Sequence, residues 1–271
     1  MRTVARLVAA APLPAPLRRP LRWVYRRARP RQPVDVLLDE LRSAVASGDR
    51  RRIDAAVLDY RRLGDAVEEA VAPSVRASPD IPIRRSTLPQ STQFMIDLLP
   101  HLQRYLASTP RGRALDVLDV GPGNGHGTGL LASLYATSRL GYTMRVTAVD
   151  VVEHYFDYIR VTSPLVNTMR ADVFTMDQRF DLVLASHVIE HVPDPVRFCR
   201  RLQQLARECV FVVAPYNEPR NRLTKGHRNV IDAGTVEQLG ADEVHVVNSV
   251  AWGAFCDPPY EMLIARLPGR A

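Results

Sequence analysis

The sequence predicts an α/β fold in which a mostly parallel sheet is covered by helices on both faces. From residue 113 onward, short apolar segments alternate with segments whose apolar residues recur at helical spacing. The apolar segments, such as CVFVVAP, lack polar residues at alternate positions, which is typical of strands that are buried on both faces. A chain of 271 residues is long enough to bury a sizeable core.

The first 34 residues differ in composition from the rest and predict a disordered tail. They contain nine arginines, several prolines and no acidic residue. Nine positive charges exceed the formal net charge of +7 of the whole chain, so the remainder is slightly acidic. We therefore expect no nucleic-acid binding by the folded part. Only the tail offers weak, salt-sensitive contact with an anionic membrane surface.

The start of the chain also imitates a secretory signal peptide, because two arginines precede an apolar run. Three prolines interrupt that run and further arginines follow it, which disfavours a signal peptide. No apolar run reaches the length that crosses a bilayer. Three cysteines lack paired or metal-binding spacing and predict reduced, mostly buried thiols: Cys199, Cys209 and Cys256. Together these features predict a cytoplasmic protein.

Residues 35–110 predict a helical extension that precedes the sheet. The segment VDVLLDELRSAVASGD has helical spacing and ends at Gly48, and Asp49 is placed to cap a second helix. The apolar stripe of that second helix comprises Ile53, Ala56, Val57, Tyr60 and Leu63. A connection rich in proline and serine then leads to a third helix, TQFMIDLLPHLQRYLAS, which follows Ser91 and contains Pro100.

The remaining elements follow in order from residue 114. Five segments predict strands: ALDVLDVG, TMRVTAVD, LVNTMRAD, RFDLVLAS and CVFVVAP. Three segments between them predict helices: GTGLLASLYATSRL, HYFDYIRVTS and DPVRFCRRLQQLARE. Near the end, DEVHVVNSV and YEMLIARL predict two more strands that pair with each other. In such folds ligands bind beyond the carboxyl ends of the strands, so the loops that follow strands are the place to search for a site.

The loop after the first strand reads GPGNGHGTG and has glycine at every second position. No register gives G-x-G-x-x-G, and the G-K-S/T ending of a P-loop is absent, so the usual diphosphate sites fit poorly. What remains is Asp119 followed by Gly121, Gly123 and Gly125, a turn through which a ligand can approach the backbone closely. A carboxylate beside this turn suits a ligand that carries an ammonium group.

Acidic residues also end the second and third strands. The carboxylate of Asp150 can accept hydrogen bonds from both hydroxyls of a ribose, whereas a phosphate on that ribose would be repelled. Asp172 follows the third strand and can accept a hydrogen bond from an adenine amino group. With Asp119, these acids match an amino acid, a ribose and a base in order.

Four segments resemble the successive motifs of class I S-adenosylmethionine-dependent methyltransferases: VLDVGPGNGHGTG, VTAVD, RADVF and FDLVLASHVIEHVPDPVRFCRRL. The similarity is greatest to the broad group that methylates sugars, quinones and other small molecules. It implies a Rossmann-like, doubly wound sheet of seven strands, the last of them antiparallel, in a domain over residues 111–271. It also implies S-adenosylmethionine as the cofactor.

The resemblance implies a role for individual residues. The three glycines would line the methionine end of the cofactor, Asp150 the ribose, and Asp172 with Val173 the adenine. The other residues expected at the cofactor are Asp119, Val151, Ser186 and His187.

The segment ASHVIEHVPDP contains H-x-x-E-H, formed by His187, Glu190 and His191. This spacing occurs in zinc peptidases, where both histidines share one helix face. Here a strand precedes the segment and Pro193 and Pro195 follow it, which disfavours a peptidase. The segment is expected to line the cleft or to hold the loop.

Metal binding by this segment is the open alternative. Some ubiquinone-pathway and small-RNA ribose methyltransferases have E-x-x-E-H at this place and bind a divalent metal. His187 replaces their first glutamate, which disfavours Mg²⁺. A set made of His187, Glu190, His191 and His227 suits a softer transition metal better.

Histidines are also the candidates for a general base, because an imidazole can accept a proton near neutral pH. The segment GHRNVIDAGTVEQLG resembles the part of the family where a histidine closes over the acceptor, so His227 is the first candidate, before His191 and His187. Five residues are expected to border the acceptor pocket, the last two with core packing as the alternative: Tyr216, Asn217, Glu218, Trp252 and Phe255. The segment DPPY, residues 257–260, imitates the amino-group clamp of DNA adenine methyltransferases, but it precedes the last strand and is interpreted as a turn.

The sequence therefore predicts a methyltransferase that transfers a methyl group to an oxygen of a small molecule or sugar. Two alternatives stay open. One is a methyltransferase that acts on RNA or protein, with metal assistance from the H-x-x-E-H segment. The other is a cofactor-binding module without catalysis.

Overall fold

The computed structural model describes residues 33–49, 51–53, 55–56, 59, 88–153, 155–249 and 261–270. The predicted tail, apart from its last two residues, lies outside these ranges. So do the proline-rich connection as far as residue 87, Trp252, Phe255 and the DPPY segment.

The first helix, α1, spans Pro33–Ser47 and ends where Gly48 adopts a left-handed φ of 67°. It begins one residue before the predicted helical segment, because proline is tolerated in the first helical turn. Asp49 caps the following helical residues as predicted: its Oδ1 accepts hydrogen bonds from the backbone N–H of Arg51 and Arg52, at 3.0 and 3.3 Å. Of the predicted stripe, Ile53 and Ala56 are buried, and the other three residues lie outside the described ranges.

Helix α2 spans Leu88–Ala107 and contains Pro100 on its exposed side. It begins three residues before Ser91, inside the segment that was predicted to be a connection. Pro89 lies in the first turn of α2, where a missing backbone N–H is not a loss. Residues 92–99 of this helix are buried, which places its first half against the rest of the molecule.

Seven strands form one sheet in the order β3-β2-β1-β4-β5-β7-β6. Their bounds are Ala114–Val120 for β1, Thr143–Asp150 for β2, Val166–Arg170 for β3, Phe180–Ser186 for β4, Ala206–Tyr216 for β5, Glu243–Asn248 for β6 and Glu261–Pro268 for β7. Strands β1 to β5 pair in parallel, and β7 is antiparallel to both of its neighbours. This topology confirms the predicted Rossmann-like sheet, including its antiparallel last strand.

The strand order reverses between β1 and β4, so the carboxyl ends of the parallel strands open a crevice at that point. Four further helices connect the strands: α3 over His126–Leu134, α4 over Phe156–Thr162, α5 over Pro195–Leu205 and α6 over Ala233–Leu239. Helix α5 ends three residues before the predicted end, because Ala206 already pairs with Phe180 in the sheet. Helix α6 was not predicted. Asp232 caps it by accepting a hydrogen bond from the backbone N–H of Thr235 at 2.9 Å.

The helical extension packs into the same core as the sheet. One cluster of buried side chains joins Leu41 of α1, Leu102 of α2 and Leu131 of α3 to Val146 and Phe211 of the sheet. A second cluster lies on the opposite face, under α5 and α6. The extension and the strand-rich region therefore share one packed body. The first half of α2 lies beside the carboxyl ends of the central strands, and its last turn reaches the start of β5, where Tyr105 donates a hydrogen bond to Glu208.

Cys199 and Cys209 are buried free thiols, as predicted, and Cys256 lies outside the described ranges. Burial raises the pKa of each thiol to about 12, so neither is reactive near neutral pH. No helix among the described residues has both the length and the apolar character needed to span a bilayer.

Candidate active site

The glycine loop after β1 has the backbone conformation that its sequence predicts. Gly121, Gly123 and Gly125 have φ values of 66°, 56° and 77°, in the left-handed region that favours glycine. A Cβ at Gly121 would lie 2.7 Å from Cγ2 of Val188, and one at Gly125 would lie 2.4 Å from Cγ1 of Ile159. A Cβ at Gly123 would point into open space. Gly123 therefore faces the crevice, whereas Gly125 packs inward at the start of α3.

A cavity lies between this loop, the ends of β4 and β5, and α2. Its lining includes Asp119, Gly121, Gly123, Ser186 and His187, all of which were predicted to contact the cofactor. Five residues of α2 complete the wall: Gln90, Ser91, Phe94, Met95 and Leu98. The hydroxyl oxygen of Ser91 accepts a hydrogen bond from the backbone N–H of Gly127 at 3.0 Å, which fixes α2 to the glycine loop. Sequence reasoning missed these residues, since their only signal was an apolar stripe.

Asp119 lies at the bottom of the cavity and is fully buried. The hydroxyl of Thr128 donates a hydrogen bond to its Oδ2 at 2.5 Å. Burial raises the pKa of Asp119 to about 6, and the hydrogen bond from Thr128 opposes this effect only in part. The carboxylate is ionised at neutral pH and presents a negative charge to the cavity, which suits an ammonium group.

Asp150 and Asp172 occupy the ends of β2 and β3, as predicted. Oδ1 of Asp150 accepts a hydrogen bond from the backbone N–H of Val152 at 3.0 Å, and Oδ1 of Asp172 accepts one from Phe174 at 2.9 Å. These hydrogen bonds fix each carboxyl group in the turn that follows its strand. Val151 is 59% exposed beside Asp150, which provides an apolar surface for a ligand.

Val173 has a different environment from Val151. Its side chain is buried in the core under α5, and it begins a short 3₁₀ turn over Val173–Thr175. Only the backbone of Val173 is left to face an adenine. Phe174, the next residue, is 43% exposed and lies edge-on to Phe198.

The H-x-x-E-H segment is not helical, which removes the shared helix face that a zinc peptidase requires. His187 follows β4 directly with a positive φ of 57°. Its ring stacks on Phe94 of α2, with 3.4 Å between the ring centroids, and its Nδ1 lies 3.1 Å from the hydroxyl oxygen of Ser186. Burial lowers the pKa of His187 far below its ordinary value, and the nearby His227 and His191 lower it further. A neutral His187 forms part of the cavity wall and is a poor base.

His227 and Glu218 form a buried pair beyond β5. Nδ1 of His227 lies 2.5 Å from Oε2 of Glu218, and the side chains are 5% and 2% exposed. The other carboxylate oxygen, Oε1, accepts hydrogen bonds from the backbone N–H and the hydroxyl of Thr224, both at 2.6 Å. Burial opposes ionisation of Glu218, but the hydrogen bonds from Thr224 and His227 keep its pKa below the ordinary value. The ionised carboxylate therefore holds the His227 ring with Nδ1–H as donor and Nε2 free to react.

His191 lies beside this pair, with 4.8 Å between its ring centroid and that of His227. Its Nδ1 donates to the backbone carbonyl of Gly226 at 3.0 Å. The backbone carbonyl of Glu190 accepts hydrogen bonds from the N–H groups of Arg228 and Asn229, at 2.7 and 3.2 Å. These bonds fasten the loop that carries His227 to the H-x-x-E-H loop.

Glu190 is the least satisfied group in the site. Glu190 is 1% exposed, and neither of its carboxylate oxygens accepts a hydrogen bond from another described residue. Burial raises the pKa of Glu190 to about 8, and the charge of Glu218 contributes to the same effect. One ligand atom each from Glu190, His191 and His227 lie within 4.8 Å of one another, a spacing that a metal ion could bridge. His187 is outside that group.

Tyr216 and Asn217 end β5 near the same loop. The backbone N–H of Asn217 donates to the carbonyl of Ile231 at 2.9 Å, and Asn217 has a positive φ of 53°. The chain thus turns sharply at the end of β5, and Glu218 then contacts the loop that carries His227.

Comparison with known proteins gives the family of the central segment. Residues 118–213 match the family model described as "Methyltransferase domain". This range contains the glycine loop, both acidic strand ends and the H-x-x-E-H segment. The match confirms the family that the sequence motifs indicated.

Two Mycobacterium tuberculosis proteins, from strains CDC 1551 and H37Rv, are similar to this chain in sequence. Each is named a probable S-adenosylmethionine-dependent methyltransferase and is 31% identical over 149 residues, which is 53% of this chain and 50% of the relative. The chain thus spans about half the length of these curated relatives.

Solved structures show similarity at lower sequence identity. A 1,6-didemethyltoxoflavin-N1-methyltransferase from Burkholderia thailandensis, solved with S-adenosylhomocysteine, is 22% identical; the match covers 80% of this chain and 89% of that chain, with a TM-score of 0.46. The magnesium protoporphyrin IX methyltransferase of Synechocystis is 13% identical; the match covers 70% and 88% of the two chains, with a TM-score of 0.48.

Proposed function

We propose that this chain, whose residues 118–213 belong to the methyltransferase domain family, transfers a methyl group from S-adenosylmethionine to a hydroxyl group of a small molecule or sugar. The observation that carries the proposal is the buried His227–Glu218 pair, which lies close enough to His187 of the cavity wall to affect its charge. This pair provides a positioned proton acceptor next to residues that fit the cofactor. A module that only binds the cofactor has no need of such a pair.

The residues at the strand ends fit S-adenosylmethionine by charge and shape. Asp119 offers a negative charge for the ammonium group, and Gly123 leaves space for the cofactor to pass along the backbone. Asp150 after β2 would accept hydrogen bonds from the ribose hydroxyls, and Asp172 after β3 would accept one from the adenine amino group. The bound cofactor would supply an activated methyl group on a positively charged sulfur.

The protein contributes alignment and exclusion of water. Phe94, Met95 and Leu98 of α2 form an apolar wall opposite the glycine loop. This wall limits the directions from which an acceptor oxygen can approach, as in-line transfer requires. Alignment of reacting groups can supply roughly 7–11 kcal/mol of the barrier in enzymes.

Nε2 of His227 then takes the proton from the hydroxyl group that is to be methylated. Glu218 holds Nδ1–H, which keeps Nε2 unprotonated and stabilises the charged ring after proton transfer. With the cofactor bound, the hydroxyl oxygen would take the methyl group from the sulfur, and the imidazole of His227 would receive the proton that the oxygen loses. General bases of this kind contribute roughly 10²–10⁴-fold to the rate.

An acceptor screen with isotopically labelled S-adenosylmethionine tests this proposal. We expect label on the oxygen of a sugar or phenol and loss of transfer in His227→Ala. Label on nitrogen, carbon or a carboxylate would contradict the assignment of the acceptor atom.

A variant of the 271-residue chain distinguishes a small-molecule acceptor from RNA or protein. Replacement of the nine tail arginines by glutamine should leave turnover of a small molecule unchanged at low and high salt. Loss of transfer to RNA or protein in that variant would favour a macromolecular acceptor instead.

A further inference from the structure

We infer that the methyl acceptor is a small molecule with a negatively charged group, a carboxylate or a phosphate, and that Lys225 and Arg228 bind this group beside the hydroxyl to be methylated. The inference rests on the proposed function, because it names the substrate class of the same site. Both residues belong to the segment 219–229, PRNRLTKGHRN, which we call the basic loop. The same loop carries the candidate base His227.

The first observation is the charge of the basic loop. Four of its eleven residues are basic and none is acidic; the basic residues are Arg220, Arg222, Lys225 and Arg228. The chain after its first 34 residues is slightly acidic, so this excess of positive charge is local. A concentration of one sign of charge beside a cleft attracts ligands of the opposite sign.

The second observation is that two of these cations lack an acidic partner. The side chains of Lys225 and Arg228 are exposed, and neither forms a salt bridge or a side-chain hydrogen bond with another described residue. Arg220, by contrast, lies 3.6 Å from the carboxylate of Asp232. Lys225 and Arg228 are therefore available to an anionic ligand without the loss of an existing ion pair.

The third observation is that hydrogen bonds fix the backbone of the basic loop on both sides of these charges. Thr224 donates two hydrogen bonds of 2.6 Å to the buried carboxylate of Glu218. The N–H groups of Arg228 and of the next residue donate to the carbonyl of Glu190, at 2.7 and 3.2 Å. A loop that is held in place before the ligand arrives loses little conformational entropy on binding.

An acceptor at the candidate base lies within reach of both cations. Lys225 is two residues before His227 and Arg228 directly follows it, and consecutive Cα atoms are about 3.8 Å apart. An arginine can donate two parallel hydrogen bonds to a carboxylate or a phosphate, and a lysine adds a point charge. The bound anionic group would thereby orient the acceptor with its hydroxyl toward Nε2 of His227.

A small anionic acceptor fits this charge distribution better than RNA does. Proteins that bind nucleic acid neutralise many phosphates over an extended basic surface. Here the positive charge of the folded part is concentrated in one short loop, and the rest of that part is acidic on balance. One anionic group, rather than a polymer of them, matches two unpaired cations.

Calorimetry on the chain saturated with S-adenosylhomocysteine, which has no methyl group to transfer, provides the first test. The probes are matched pairs that differ in charge: glucuronate with glucose, glycerol phosphate with glycerol, and para-hydroxyphenylacetate with tyrosol. We expect the charged member of at least one pair to bind more than about 10-fold tighter, because hydrogen bonds to ionised groups are roughly twice as strong as neutral ones.

Substitutions that remove charge identify the residues responsible. Lys225→Gln and Arg228→Gln should each reduce the preference for the charged probe, and the double variant should abolish it. Arg200→Gln is the matched control, because this arginine is also exposed but lies on α5, and it should keep the preference. His227→Ala should keep it too, since the anion site does not depend on the base.

Lys225 also permits a test without substitution, because it is the only lysine in the chain. An amine-selective acetylating reagent therefore modifies Lys225 and the amino terminus, and mass spectrometry of peptides follows each amine separately. We expect the charged probe that binds to slow acetylation of Lys225 but not of the amino terminus. The neutral member of the same pair should slow neither.

Three results would overturn the inference. One is equal affinity, or no binding, for both members of every pair. Another is a preference for the charged probe that survives in the double variant. The third is methylation of RNA that is lost in the double variant, since the acceptor would then be a polymer. Transfer to an uncharged sugar or phenol at an unchanged KM in the double variant would leave the proposed function standing and contradict only the anion site.

Discussion

The imidazole of His227 and the carboxylate of Glu218 form a buried pair, with 2.5 Å between Nδ1 and Oε2. The two residues are nine positions apart, and Thr224 between them donates two hydrogen bonds to the same carboxylate. Because Thr224 fixes the carboxylate of Glu218, that carboxylate holds the imidazole ring of His227 in one orientation. The reactive Nε2 atom is thereby directed away from Glu218.

Removal of the imidazole should affect transfer more than cofactor binding. We expect His227→Ala to lower kcat roughly 10²–10⁴-fold, because the base is lost, with little change in the Kd for S-adenosylhomocysteine. Glu218→Gln should cause a smaller loss. The measurements are steady-state kinetics with an identified acceptor and calorimetry with the ligand. Equal loss of kcat and of ligand affinity in His227→Ala would contradict its role as a base.

Asp150 should determine cofactor affinity through the ribose. Asp150→Asn replaces a charged hydrogen-bond acceptor, and such bonds contribute about 1.5–3 kcal/mol, so the Kd for S-adenosylhomocysteine should rise about 10- to 100-fold. Asp157→Asn is the matched control, because that side chain is 83% exposed on α4. Calorimetry on both variants measures the difference, and similar affinities would show that Asp150 does not contact the ribose.

Cofactor affinity should depend on pH through Asp119. Burial raises the pKa of this carboxyl to about 6, so it is ionised above that pH and neutral below it. An ammonium group is attracted only by the ionised form. The affinity for S-adenosylhomocysteine should therefore be full near pH 8 and fall as the pH decreases through about 6. Asp119→Asn should bind weakly at pH 8 and show little change between pH 8 and pH 5.

Substitution by alanine should affect the stability of the protein differently at two glycines of the loop. A Cβ at Gly123 meets no atom within 4 Å, so Gly123→Ala should fold with a cost of about 1–2 kcal/mol for its left-handed backbone and should weaken cofactor binding. A Cβ at Gly125 would overlap Ile159, so Gly125→Ala carries an additional packing cost. Thermal unfolding and calorimetry on the pair distinguish these effects. A Gly123→Ala variant with unchanged affinity would place the cofactor elsewhere.

Helix α1 should contribute to the stability of the whole domain. Leu41 is fully buried in the core cluster that includes the sheet, and Leu→Ala in such sites costs roughly 2–5 kcal/mol. We expect Leu41→Ala to lower the midpoint of a single denaturant-induced transition, with the exposed Glu40→Ala as control. A separate early transition for α1 would show that the extension folds independently.

Much of the fold could be predicted because strands and turns leave local patterns. The second strand was predicted over the residues that form it, Thr143–Asp150, and the glycine loop has the positive φ values that its spacing indicates. Boundaries were less accurate where pairing or capping decided them. The last three residues predicted for helix α5 belong to strand β5 instead. Helix α6 was not predicted, although Asp232 marks its start.

The sequence by itself determined which functional residues follow which strand. The glycine turn, Asp150, Asp172 and the H-x-x-E-H segment each come after an apolar run that identifies a strand. The tertiary structure decided which of these groups meet. It placed α2 over the crevice, excluded His187 from the histidine cluster and brought Glu218 to His227. The physical reason is the distance along the chain over which each interaction acts. Backbone preference and burial act between near neighbours, whereas contacts between loops depend on how packed elements orient residues that are distant along the chain.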